Sequence, residues 1–188
     1  RAQQVVTAFM LIGGGAQLNL GAGLLRWIPP AGRHTSRLIW SSLLLIMPLS
    51  GLVGLVYVLV VPEIGMTSAG STPFGLGVLM FVLACAGWGV FVVHDFILVA
   101  LHRPWWALWR NVTFSVVRLA LLVGLVLAGL GAQGVVLSWT GPIVVLVALG
   151  SLVIAVLAQR ASRQARGGEL PTLGAATRFL APTAVAQL

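Results

Sequence analysis

Few residues in this sequence could do chemistry, and nearly all of them interrupt apolar runs. Asp95 and Arg118 are a carboxylate and a guanidinium set inside long hydrophobic stretches. An ionisable group there costs about 2.5–3.5 kcal/mol to insert, so it faces protein or water rather than lipid. Two roles follow for the pair. They can form a structural ion pair, with Arg118 alternatively snorkelling back to the interface, or they can meet a charged substrate or coupling ion. Gln17 and Asn19 add uncharged hydrogen-bonding groups within a glycine-rich stretch (Gly13, Gly14, Gly15, Gly21 and Gly23), and Arg26 closes that stretch. A glycine-rich, polar, broken helix can line a transport cavity, because irregular backbone in a membrane is tolerated only beside water or protein. The competing reading is close packing, since glycines, with Ser50 and Gly54, let helices approach.

The other candidate chemistries are weaker. His94 and His102 flank Asp95, but His94 and Asp95 point about 100° apart on a helix, which is poor ligand geometry, and no further ligands cluster nearby. We therefore expect no metal and no other cofactor; a proton relay through His94 has no further support. An enzyme needs an acid, base or metal cluster, and the chain has only three carboxylates. The single Cys85 lies in an apolar run and signals neither a disulfide nor a metal site.

The elements that carry these residues follow from composition. Of 188 residues 59% are hydrophobic and 7% are charged, with 11 basic and three acidic. A soluble domain could not cover its surface with so few charges, and a disordered chain would need more. The net charge of +8 does not indicate a nucleic-acid partner, because the arginines sit in gaps between apolar runs instead of sharing a polar face. The expected fold class is all-α, a polytopic transmembrane helical bundle whose partner is the lipid bilayer.

A membrane-crossing helix needs about 20 apolar residues. Five stretches qualify, about 5–25, 38–61, 76–101, 112–131 and 135–158, and a partial segment spans 173–188. We expect one transmembrane domain over 1–188. Pro48 lies inside the second span, where a kink is expected. Arg26, Arg33 and Arg37 follow the first span; Arg103 and Arg110 follow the third; Arg160, Arg163 and Arg166 follow the fifth, with Arg178 beyond. The gaps after the second and fourth spans hold no Arg. This alternation puts the Arg-rich gaps in the cytoplasm and predicts a multi-pass protein of the cell inner (plasma) membrane. Trp105, Trp106 and Trp109 read as an interfacial anchor, and the Arg160 cluster as an orientation signal that also attracts anionic lipid. With a loop of about ten residues between the third and fourth spans, Asp95 and Arg118 lie at equal depth, ~9 Å inside the boundary, and are expected to pair.

Two segments carry a resemblance. The first span closes with Arg26-Trp27-Ile28-Pro29-Pro30. Later come His94-Asp95-Phe96, then His102-Arg103-Pro104-Trp105-Trp106-Ala107-Leu108-Trp109-Arg110-Asn111, then Arg118. Together they resemble the polysaccharide exporter and oligosaccharidyl-lipid flippase branch of the multidrug/oligosaccharidyl-lipid/polysaccharide superfamily. In that family an R-x-x-P element follows the second helix, matched by Arg26 and Pro29. Its fourth helix carries an Asp, followed by a basic-aromatic loop ending in R-N and a helix with a cation two turns in, matched by Asp95, Arg110, Asn111 and Arg118. The resemblance implies that the five spans correspond to helices two to six of a protein with twelve to fourteen. It also implies that a second helical bundle completes the cavity and that the chain is part of a longer protein. The implied function is flipping or exporting a lipid-linked oligosaccharide or polysaccharide precursor, such as one for lipopolysaccharide, by alternating access. Arg118, Asp95, Asn19, Gln17 and Arg26 would then line the substrate pathway. The alternatives are a membrane-embedded enzyme or a scaffold subunit acting on lipid-linked sugars.

Overall fold

A computed structural model describes residues 2–16, 19–64, 74–165, 167–172, 174–175 and 179. They form a helical bundle, with no strand among the described residues. The helices are α1 (Ala2–Gly15), α2 (Leu20–Ala31), α3 (Thr35–Val60), α4 (Phe74–Ala100), α5 (Pro104–Leu127) and α6 (Gly131–Gln164), with a 3-10 turn at Gly32–His34 between α2 and α3. Four helical stretches are long and apolar enough to cross a membrane. The chain is an all-α membrane bundle.

The first expected span is two helices. α1 has 14 residues and α2 has 12, about 21 and 18 Å, so neither alone crosses a ~30 Å hydrocarbon core. Asn19 breaks them apart with a left-handed backbone, φ 59° and ψ 21°, a conformation Asn accepts more readily than most residues. Pro48 stays inside a continuous α3. The segment expected at 173–188 lies almost wholly outside the described residues.

The fourth span starts earlier than its hydropathy implies, and the ten-residue loop before it does not exist. α4 ends in a Schellman turn: the Arg103 N–H donates to Leu98 O at 2.8 Å and the His102 N–H to Val99 O at 2.9 Å, with His102 left-handed at φ 57°. Pro104 then opens α5 at its first turn, where a missing N–H costs nothing. The basic-aromatic stretch 104–111 is therefore helix, and the connection is three residues long. α5 closes with the same type of turn at Gly129, φ 80°.

α4 is the central helix and packs against the other five. Its approach to α1 and α3 depends on small residues. A methyl added at Gly89 would strike Ser50 Oγ of α3 and come within 3.4 Å of Gly13 O of α1. This is the close-packing role expected of glycine, with the α4 backbone set against the Ser50 side chain on one side and the Gly13 carbonyl on the other. Two apolar clusters fill the bundle. One joins Leu24, Ile28, Ile39, Ile97, Ala107 and Ile154; the other joins Val5, Phe9, Val58, Phe81, Cys85 and Ile143.

The Arg-bearing connections share one end of the bundle. The Arg33 N–H donates to Gly167 O at 2.9 Å and the Glu169 N–H to Pro30 O at 3.1 Å. Ser162 Oγ accepts the Ser36 N–H at 3.0 Å, capping the start of α3 from α6. A β-carbon added to Gly32, at φ 50°, would overlap Gly167 O, so no side chain could stand there. The end of α6 is thus clasped to the α2–α3 corner.

Candidate functional site

The site is built on the α4–α5 hairpin. Asp95 lies five residues before the end of α4, about 7.5 Å in, and Arg110 lies six residues into α5, about 9 Å in. Arg110 Nη2 donates to Asp95 Oδ1 at 2.7 Å and to the backbone carbonyl of Phe91 at 2.7 Å. The neighbouring Asn111 Nδ2 donates to both carboxylate oxygens, at 3.2 and 3.0 Å. One carboxylate therefore gathers both members of the R-N pair. Arg110 is 7% exposed at its side chain and Asp95 32%, so the cation is desolvated while the anion keeps some access. Arg110 also lies over the Phe91 ring, 4.0 Å from its centroid. Its Nε and Nη1 are buried with no hydrogen-bond partner among the described residues.

Arg118 does not meet Asp95. The expected pairing fails because α5 begins at Pro104, which puts Arg118 fourteen residues into the helix, about 21 Å along an axis of about 36 Å. It is about two and a half turns deeper than Asp95 and close to mid-span. There its guanidinium sits over the Trp139 ring of α6, 4.2 Å from the centroid, and its Nε is buried without a hydrogen-bond partner among the described residues.

Arg110, Phe114 and Arg118 follow one another at intervals of four and form a stripe on one face of α5. Phe114 packs among Phe91 (5.1 Å between centroids), Trp139 (5.8 Å) and Trp88 (6.3 Å), and Phe9 of α1 completes the cluster against Trp88 and Trp139. Two cations thus bracket an aromatic core shared by α1, α4, α5 and α6, each resting on the negative face of a ring. The i, i+4, i+8 spacing was legible in sequence; that Phe91 and Trp139 would receive the guanidiniums was not.

His94 is fully buried. Its Nε2 lies 3.4 Å from Ser151 Oγ of α6, its Nδ1 has no partner among the described residues, and Gly150 leaves the room it needs, since a methyl there would come within 2.8 Å of Nδ1. No group of three metal-ligating side chains occurs among the described residues. Ser151 escaped the sequence reading because a lone Ser in an apolar run carries no motif.

The remaining expected residues do not join Asp95. Arg26 is exposed on α2 and sits over Phe179, 5.2 Å from the ring centroid. Asn19 occupies the helix break. Gln17 lies outside the described residues. Trp105, Trp106 and Trp109 are more than half exposed on the first turns of α5. Comparisons with protein-family models, curated proteins and solved structures give no match.

Proposed function

We propose that this chain is part of one lobe of a membrane transporter that moves a lipid-linked, phosphate-bearing glycan across the bilayer by alternating access. The observation that carries this reading is Arg118, a mid-span cation whose expected counter-ion, Asp95, is engaged by Arg110 and Asn111. Aromatic contact offsets only part of the cost of keeping it there, about 0.5–2 kcal/mol against about 2.5–3.5 kcal/mol. A sugar diphosphate in transit is the kind of anion such a group serves, because a guanidinium grips phosphate oxygens in bidentate fashion. In this reading Asp95, Arg110 and Asn111 brace the hairpin that holds Arg118. The break at Asn19 supports the same reading, since discontinuous helices commonly line transport sites.

The test is flipping of a fluorescent lipid-linked oligosaccharide by the full-length protein in proteoliposomes. Arg118→Gln should slow flipping by roughly ten- to a hundredfold, the worth of one charged hydrogen bond, with unfolding temperature unchanged or raised. Arg118→Lys should recover part of the rate. Wild-type flipping by a well-folded Arg118→Gln protein would reject the proposal.

A further inference from the structure

Between α5 and α6, at the Arg-rich end, runs a groove of about 410 Å³ lined by Arg103, Trp106, Val153, Val156, Leu157 and Arg160, together with Leu152. It meets a second recess of about 260 Å³ that shares Trp106 and Val153 and reaches inward to Gly150 and Arg110. Arg103 immediately precedes α5, and Arg160 lies four residues before the end of α6, so the two residues stand near the same membrane surface on neighbouring helices. Both are exposed.

The geometry points to a binding site for an anionic glycerophospholipid, its phosphate held by Arg103 and Arg160 and its acyl chain following the groove and the recess below it along the α5–α6 seam. Each feature of the lining selects part of that ligand. Two cations in one groove call for an anion, and guanidiniums suit phosphate oxygens. The groove lining includes no carboxylate to receive the amine of a zwitterionic headgroup, and no amide or carboxylate to bind sugar hydroxyls. The apolar walls below the arginines suit acyl chain, and the second recess continues the groove inward past Trp106 and Val153, so acyl chain can follow the α5–α6 seam from the headgroup into the bilayer. Trp106 shares the groove with the cations, in the first turn of α5, where indole favours the headgroup boundary. The site is distinct from the Arg118 pathway and stands whether or not the protein moves a glycan.

The experiment is lipid binding to the full-length protein in nanodiscs and by native mass spectrometry, using phosphatidylglycerol, phosphatidylcholine and a polyprenyl phosphate. A basic residue at a charged membrane surface contributes on the order of fivefold in affinity, so wild type should prefer phosphatidylglycerol to phosphatidylcholine by about thirtyfold. Arg103→Gln with Arg160→Gln should reduce that preference to near parity. Arg37→Gln with Arg163→Gln, which removes equal charge from exposed positions at the same end, should retain it. Val153→Trp, which fills the meeting point of the recesses without changing charge, should weaken phosphatidylglycerol binding as well. Arg160→Gln alone should lose on the order of fivefold and covers the case where the double variant does not fold. Equal loss in the Arg37/Arg163 control would overturn the site in favour of diffuse surface charge. Full binding by Val153→Trp, or displacement of phosphatidylglycerol by equimolar polyprenyl phosphate, would overturn the proposed occupant.

Discussion

Arg110 Nη2 lies 2.7 Å from Asp95 Oδ1 across the α4–α5 hairpin, and the two partners differ in burial within the bundle: 7% of the Arg110 side chain is exposed against 32% of Asp95. The pair is therefore asymmetric in what each partner loses when the other is removed. Asp95 without Arg110 keeps Asn111 and an open face. Arg110 without Asp95 keeps only the Phe91 carbonyl and ring, while its Nε and Nη1 already lack partners among the described residues.

Asp95→Asn should consequently cost more than Arg110→Gln. Breaking a buried pair costs ~3–5 kcal/mol, and the access at Asp95 places Asp95→Asn near roughly 3 kcal/mol and Arg110→Gln near roughly 1–2 kcal/mol. Thermal or denaturant unfolding of the two variants in the same detergent checks the order. Equal costs, or a larger cost for Arg110→Gln, would show that burial of the cation does not dominate.

The same pair marks where sequence reading succeeds and where it stops. Asp95, Arg110 and Asn111 stand out as charges and amides beside apolar runs, and the membrane bundle follows from composition and run length. Their partnership depends on a helix boundary. A stretch with Arg103, Pro104, three Trp and Arg110 has a low hydropathy and reads as loop, yet Pro at a helix start and a left-handed His102 make it the first two turns of α5. Eight residues of added helix, about 12 Å, move Arg118 past Asp95 and bring Arg110 to it. Hydropathy reports where lipid chains begin, whereas helix boundaries obey capping. The break at Asn19 has a local signal in the surrounding glycines; the ring that receives Arg118 has none, because helix rotation is settled by packing.

The contact of Gly89 with Ser50 and Gly13 sets the spacing of three helices. Gly89→Ala should destabilise by roughly 1–3 kcal/mol, the usual cost of overpacking, although alanine is the better helix former. Ser50→Gly in the same chain should recover part of that loss, because it removes the atoms the new methyl would strike. Gly14→Ala, with open space at that position, is the matched control and should be neutral or slightly stabilising. A double-mutant cycle measures the coupling; additive effects would show that the helices shift apart freely.

Orientation can be read by labelling with an impermeant thiol reagent in intact cells. In a Cys85→Ser background, cysteines at His102 and Gln164, both exposed at the Arg-rich end, should be protected. One at Leu130, in the α5–α6 turn, should react. The expectation rests on the excess of arginine at one end. The reverse pattern would invert the topology.

The left-handed backbone at Asn19, φ 59° and ψ 21°, separates two roles for the break between α1 and α2. A β-branched residue at such a φ is a severe outlier, and the left-handed region costs an ordinary L-residue about 1–2 kcal/mol. Asn19→Val should therefore lower stability by at least that amount, while Asn19→Gly, which enters the region freely, should stay close to wild type. Asn19→Ala is the informative variant, since alanine favours right-handed helix and biases the seam toward continuing α1 into α2. If the break serves transport, Asn19→Ala should slow glycolipid flipping by more than its effect on stability explains, and Asn19→Gly should flip at the wild-type rate. If the break serves packing alone, Asn19→Ala and Asn19→Val should differ only in stability, and flipping per folded molecule should be unchanged in both. Unfolding temperatures and flipping rates measured on the same three proteoliposome preparations decide between the two. Equal unfolding temperatures for Asn19→Val and wild type would mean that the left-handed turn is not held, and the transport argument from it would fall.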